Sequence, residues 1–149
     1  MKSKVDYKPE GFHSVTPYLT VKGAAKLLDF LKEAFGAEEL GRHPRPDGGI
    51  AHACTKIGDS FVEVSDGTEQ WPAMPAALHV YVPDVEAVYQ RALKAGGTSL
   101  QTPTDQFYGE RSGAVRDVCG NNWYIATQIE ILTREEIEKR AAVMAGKRS

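Results

Sequence analysis

The chain has 149 residues and a formal net charge of −2, a size and charge that suit one compact globular domain. Without a basic surface, we expect neither nucleic acid nor membrane as a partner. The sequence contains neither an apolar run of about 18 residues, as a membrane span needs, nor the apolar core of a signal peptide. It therefore predicts a cytoplasmic protein. Cys54 and Cys119 are expected to be reduced thiols, with a redox or metal pair as the alternative.

The first part of the chain predicts a strand, a helix and further strands. Alternating apolar and polar side chains indicate a strand at Phe12–Val21, and leucines at helical spacing indicate a helix at Ala24–Phe35. Glycines, prolines and charges predict a hairpin loop at Gly41–Gly49. Two more strands are predicted at Ile50–Ile57 and Phe61–Ser65.

The middle of the chain holds a linker and then a second strand and helix. Asp66–Pro75 has no periodicity and two prolines, which indicates a linker. Leu78–Val82 alternates as a strand does, with His79 and Tyr81 on the polar face. Asp84 is placed to cap the following helix. Gly96 and Gly97 end that helix, because glycine readily adopts left-handed backbone angles.

The last part of the chain predicts a long loop, two strands and a final helix. The loop is Thr102–Ser112, and the strands are Gly113–Asp117 and Asn122–Gln128. Thr133 followed three residues later by glutamate is a capping box, which predicts a helix at Arg134–Ala145. We expect this helix to cover a sheet edge or a dimer seam.

The two parts of the chain are copies of one plan. A shift of about 61 positions places Val21 on Val82 and the first helix on the second. Each copy predicts a β-α-β-β-β module, at about residues 11–66 and 76–130. The predicted fold class is therefore α+β, with two βαβββ modules in one domain over residues 11–130. A C-terminal helix and tail follow at residues 131–149.

Four segments of the repeat are distinctive: PYLTVKGAAKLLDFLKEAFGAEE, HACTKIGDS, LHVYVPDVEAVYQRALKAGG and DQFYGERSGAVRDVCGNNWYIAT. With these residues, the pattern resembles the vicinal oxygen chelate superfamily, which contains glyoxalase I, bleomycin-resistance proteins and extradiol dioxygenases, and within it the PhnB-like branch. The resemblance covers nearly the whole chain, from about Gly11 to Ile129. It implies a cupped mixed sheet whose concave face binds the ligand, and it implies a homodimer.

The resemblance also locates the four positions that hold a divalent metal in the enzymes of the superfamily. Position by position, they fall on Thr16, Glu63, Ala77 and Tyr124. Only Glu63 is an ordinary ligand for such an ion, because alanine has no donor and neutral threonine is a poor one. A register slip of two residues replaces Ala77 by His79 and gives two donors. We therefore expect no metal and no cofactor.

The concave face implied by the fold carries rings, hydroxyls, imidazoles and an acid, a mixture suited to a flat or amphipathic small molecule. The predicted ligand-binding residues are Thr16, Tyr18, His52, Phe61, Glu63, His79, Tyr81 and Tyr124.

Three functions are compatible with this face. The first is a metal-independent binder of a small organic molecule, of the bleomycin-resistance type. The second is an enzyme, which is either a metal-dependent lyase, isomerase or dioxygenase or a metal-free acid–base catalyst. In the acid–base case the candidate catalytic residues are Glu63 and His79, with His52 as an alternative imidazole. The third is a structural or regulatory partner with a vestigial cup. Pairing of the modules within one chain or between two chains stays open.

Overall fold

The structure of the protein is a computed structural model that describes residues 4–148, so the predicted tail residue Ser149 lies outside it. The chain forms two compact units, the first ending at Ala76 and the second beginning at Ala77. Within the described residues, no helix is long and apolar enough to cross a membrane.

The first unit is a four-stranded mixed sheet with one helix. The elements in chain order are β1 (Tyr18–Val21), α1 (Ala24–Phe35), β2 (Glu38–Pro44), β3 (Ile50–Ile57) and β4 (Ser60–Asp66). The strand order is β1-β4-β3-β2, in which β1 is parallel to β4 and the other neighbours are antiparallel.

The second unit has the same plan. Its elements are β5 (Ala77–Tyr81), α2 (Val85–Lys94), β6 (Thr98–Asp105), β7 (Glu110–Arg116), β8 (Asn122–Gln128) and the C-terminal helix α3 (Arg134–Arg148). The strand order is β5-β8-β7-β6, with β5 parallel to β8. The predicted α+β class, with two βαβββ modules in tandem and a final helix, is confirmed.

Each sheet buries one face under the helix of its own unit. In β1, Leu19 and Val21 are almost fully buried, whereas Tyr18 and Thr20 lie on the opposite face. The buried side of α1 consists of apolar residues at the spacing of one helical face: Ala24, Leu27, Leu28, Phe30, Leu31 and Ala34. Because the helix covers only one face of the sheet, the opposite, polar face is accessible and can form a ligand-binding site.

Two predicted loops are wrong in extent, because both contain strands. The first part of the predicted loop Gly41–Gly49, residues 41–44, belongs to β2, and Thr102–Ser112 is largely β6 and β7. The turns are therefore limited to residues 45–49 and 106–109. Both β2 and β6 are edge strands, which tolerate glycine and proline because one row of their N–H groups needs no partner. The predicted strand at Phe12–Val21 is too long, since it is regular only from Tyr18. Pro17 has no N–H to donate to a ladder.

The predicted starts of α2 and α3 are confirmed by their caps, whereas α3 continues to Arg148, beyond the predicted end at Ala145. The Asp84 carboxylate accepts a hydrogen bond from the Ala87 N–H at 3.1 Å at the start of α2. The Thr133 hydroxyl accepts one from the Glu136 N–H at 3.2 Å at the start of α3. Gly96 has φ +107°, so α2 ends where glycine permits a left-handed conformation.

Asp66 was predicted to begin the linker, and this is wrong because it ends β4 and fastens three backbone segments. Its Oδ1 accepts hydrogen bonds from the N–H groups of Gly23 and Ala24, at 3.0 and 2.8 Å, at the start of α1. Its Oδ2 accepts one from the Ile50 N–H at 2.7 Å, at the start of β3. Burial alone raises the pKa of Asp66, but these three N–H groups and the charge of Arg45 together lower that pKa below 3.8.

Replacing Asp66 by asparagine should lower the free energy of unfolding by about 2 kcal/mol at pH 7, because a charged acceptor of three hydrogen bonds is lost. A lowered carboxyl pKa stabilises the fold above pH 3.8, and this contribution disappears as the pH falls through the still lower folded pKa. The gap between wild type and Asp66→Asn should therefore close at acid pH in urea titrations. Asp59→Asn is the control, since Asp59 is exposed; an equal loss in both variants would contradict the role of Asp66.

Candidate functional site

A cavity of about 410 Å³ opens on the first unit. It is bordered by β1, by the ends of β3 and β4, by the turn after β2 and by the segment that leaves β4. Its lining combines two aromatic rings with hydroxyls, a guanidinium and a carboxylate, from Tyr18, Thr20, Arg45, Ala51, Ser65, Asp66, Thr68 and Trp71. Of the predicted ligand-binding residues, Tyr18 is the one that lines this cavity.

Trp71 forms one wall of the cavity, although the linker that carries it has no regular secondary structure. The Thr68 N–H donates to the Trp71 carbonyl at 2.8 Å, and the Trp71 N–H donates to the Thr68 hydroxyl at 2.9 Å. Further along, the Met74 N–H donates to the Thr20 carbonyl at 3.1 Å, which ties the linker to β1. Trp71 is not among the predicted ligand contacts, because no periodicity in the linker indicates where its ring lies.

A β-bulge shapes the floor of the cavity. In the pairing of β2 with β3, His43 lies opposite His52, and Pro44 lies opposite Ile50, so Ala51 has no partner. The extra residue changes the alternation of side chains at this end of β3. Ile50 is buried, while Ala51 is exposed and lines the cavity.

The structure brings three predicted site residues together beside this cavity. His52 Nε2 lies 2.8 Å from Glu63 Oε1, across neighbouring strands β3 and β4. Glu63 is the register partner of Tyr18, and the rings of Tyr18 and His52 are 6.1 Å apart between centroids. A carboxylate paired with a half-exposed imidazole can orient a ligand or transfer a proton.

Two other predicted residues of the first unit lie elsewhere and do not line the cavity. Thr16 precedes β1 and is half-buried. The ring of Phe61 stacks on Phe12 with centroids 3.9 Å apart, and the Lys56 ammonium lies 5.3 Å from the Phe61 centroid. The Phe61 ring therefore packs against other residues of the chain and does not line the cavity.

Cys54 lies next to Glu63 in the register of β3 and β4. Burial raises the pKa of this thiol, and the charge of Glu63 raises it further. A raised pKa disfavours the thiolate, so Cys54 is not an activated nucleophile at neutral pH. Cys119 is likewise a half-buried thiol, as predicted.

The second unit carries a related group on its own sheet. His79 on β5 is the register partner of Tyr124 on β8, and their ring centroids are 6.5 Å apart. The Tyr81 ring is closer, at 4.6 Å from His79. His79 Nε2 lies 3.4 Å from Oε1 of Glu110, a residue on β7 that sequence reasoning had assigned to a loop. The missed strand explains why the acid of this group was missed.

A second cavity, of about 380 Å³, adjoins this group. It is lined by Tyr81, Tyr108, Gly109, Glu110 and Gln128. Partial burial, the charge of Glu110 and a hydrogen bond to that carboxylate together raise the pKa of Tyr81 above 10. The phenol therefore stays protonated and can donate a hydrogen bond at neutral pH.

Comparison with known proteins identifies the family. Residues 11–125 match the sequence model of the Glyoxalase/Bleomycin resistance protein/Dioxygenase superfamily. The chain belongs to this superfamily. It is 35% identical over 136 residues to the uncharacterized protein Mb0911c of Mycobacterium bovis, covering 84% of this chain and 90% of that protein.

Solved structures agree with this assignment. TioX from Micromonospora sp. ML1 has 26% identity and a TM-score of 0.65, covering 81% of this chain and 100% of TioX. A Bacillus cereus PhnB protein, described as a putative 3-demethylubiquinone-9 3-methyltransferase, has 16% identity and a TM-score of 0.59, covering 77% of this chain and 99% of that protein. The likeness to the PhnB protein is one of fold, and the predicted resemblance to the superfamily is confirmed.

The residues at the four positions that the resemblance assigns to a divalent metal do not form an ordinary ligand set for such an ion. Ala77 offers no donor, Thr16 lies outside the sheet, and Glu63 is the one ordinary ligand among the four. The carboxylate of Glu63 is already hydrogen-bonded to His52. Among residues 4–148, no three His, Cys, Asp or Glu side chains form a group that could hold a metal.

The effect of Glu110 on the pKa of Tyr81 can be measured directly. Glu110→Gln removes the negative charge and keeps the side-chain size, so the pKa of Tyr81 should fall back toward 10. An NMR titration of ring-labelled tyrosine measures this shift. Asp105→Asn serves as control, because Asp105 is a carboxylate of the same unit that pairs with Arg111. A Tyr81 pKa that is insensitive to Glu110→Gln would contradict the contact.

Proposed function

We propose that this protein binds a small, amphipathic organic molecule in the cavity of the first unit, without a catalytic metal. The observation that carries the proposal is the lining of this cavity, where the rings of Tyr18 and Trp71 stand beside hydroxyls and Arg45. Ligand pockets in proteins are mostly apolar and contain a few polar groups that orient the ligand.

The size and exposure of the cavity support the same conclusion. Its volume of about 410 Å³ falls within the range of small-molecule sites, roughly 300–1,000 Å³. The Trp71 side chain is 70% exposed, and Tyr18 is 49% exposed. Covering such large exposed rings with a flat ligand removes apolar surface from water and therefore favours binding.

The metal-independent part of the proposal rests on donor chemistry. Of the four positions that hold the ion in metal enzymes of the superfamily, one carries an ordinary ligand, and a single carboxylate is a weak site for a divalent ion in water. The binding energy is instead assigned to ring stacking and hydrogen bonds.

A titration with the neutral aromatic 2-naphthamide tests the proposal by calorimetry. Wild type should bind it, and Trp71→Ala should weaken binding about 3- to 10-fold, as expected for the loss of one aromatic contact. Tyr7→Ala is the control, because Tyr7 is also a large exposed ring but does not line the cavity. Absence of binding, or equal binding by Trp71→Ala, would contradict the proposal.

A second candidate function is metal-free acid–base catalysis, favoured by the 2.8 Å contact between His52 and Glu63 beside Tyr18. In this case the imidazole exchanges a proton with the ligand and the carboxylate orients the ring. NMR of bound compounds in deuterated water detects such exchange as deuterium incorporation. Incorporation that is lost in His52→Gln, with binding retained, would identify the protein as an enzyme.

A homodimer is part of the proposal. Its support is the family likeness together with the exposed rings of Tyr18, Tyr81 and Tyr124, which lie on sheet faces that no helix of their own unit covers. Sedimentation at micromolar concentration should give twice the chain mass of 16.3 kDa. A species of single-chain mass would contradict this part of the proposal.

A further inference from the structure

We infer that the ligand of the first unit is an organic acid whose carboxylate binds the guanidinium of Arg45 while its ring lies against Tyr18 and Trp71. This inference rests on the proposed function and specifies the chemical class of the ligand. Neither Arg45 nor Trp71 was among the residues that sequence reasoning selected as ligand contacts.

Arg45 is held in place by its backbone. It opens the turn after β2, where its N–H donates to the Gly49 carbonyl at 2.7 Å and its carbonyl accepts from the Gly48 N–H at 3.0 Å. The guanidinium packs over Gly49, where an added Cβ would lie 2.7 Å from Nη2. Gly49 therefore leaves the space that the guanidinium occupies.

The hydrogen-bonding capacity of Arg45 is only partly used. Nη1 donates to the carbonyls of Asp66 and Gly67 at 3.3 and 3.4 Å, which are long contacts. Nε is buried and has no hydrogen-bond partner, with Asp47 Oδ1 at 3.5 Å. Among the described residues, Nη2 makes no hydrogen bond. A guanidinium presents five donors in a planar fork that matches a carboxylate.

Two other arginines of the chain each bind both oxygens of one carboxylate. Arg42, in the same hairpin, binds both oxygens of Glu39 at 2.6 and 3.1 Å. Arg140 binds both oxygens of Glu130 at 2.9 and 3.0 Å. Arg45 lines a cavity, and its one ion pair among the described residues is the longer contact with the exposed Asp47, at 3.5 Å. Its charge is therefore available to a ligand.

Asp66 also lines the cavity, and its carboxylate interacts with the charge of Arg45 but is hydrogen-bonded to the backbone and not to the guanidinium. Both of its oxygens already accept hydrogen bonds from backbone N–H groups, two of them at the start of α1. The positive end of the helix dipole offsets the negative charge of such a carboxylate. The Arg45 guanidinium is therefore the group in this cavity that can take an anion.

The test compares 2-naphthoate with 2-naphthamide, two probes of the same shape that differ in charge. Wild type should bind naphthoate about 10- to 100-fold more tightly, as expected for hydrogen bonds to a charged partner. Arg45→Gln should abolish this preference and retain naphthamide binding. Arg42→Gln removes the same charge from the same hairpin and should keep the preference. Thermal unfolding of each variant verifies that it is folded. Arg45→Lys keeps the positive charge but lacks the planar pair of donors, so its affinity for naphthoate should fall several-fold.

The outcomes separate this inference from the proposed function. Equal affinity of wild type for both probes overturns the organic acid and leaves small-molecule binding intact. Tight naphthoate binding that survives in Arg45→Gln, or that is unchanged in Arg45→Lys, overturns the role of Arg45. Failure of both probes to bind wild type overturns the inference and the proposed function together.

Discussion

The carboxylate of Asp66 is the interaction on which the first unit depends. It ends β4, binds two N–H groups at the start of α1 and binds the first N–H of β3. One side chain thereby aligns the helix with two strands and fixes the point where the chain leaves the sheet. The cavity opens at this junction, so its walls are positioned by the same contact that stabilises the fold.

The division of each sheet into two faces explains where a site can form. Each helix covers one face of its own sheet with apolar residues, such as Leu27 and Leu31 of α1. The opposite face keeps polar and aromatic side chains, because period-two alternation separates the two sets. The His52–Glu63 pair and the His79–Glu110 pair both lie on such faces, although different strands supply their acids.

The repeat accounts for most of what could be predicted about the fold. Local patterns predicted which sheet face carries Tyr18 and His79, and the structure agrees. They also predicted the helix at Ala24–Phe35 and the cap at Asp84, which the structure confirms. The edge strands β2 and β6 were misread because glycine, proline and charge indicate a loop whether or not a partner strand is present. Pairing with β3 and β7 decides that these segments are strands.

The sequence by itself determined the family, the two βαβββ modules and the polar faces that carry Tyr18, His52 and Glu63, because these features depend on local alternation and on the repeat. Only the tertiary structure decided that Arg45 and Trp71 line a cavity with Tyr18. It also paired His52 with Glu63 and His79 with Glu110. These contacts depend on a bulge, a tethered linker and strand register, which join residues distant in the chain and have no periodic signal.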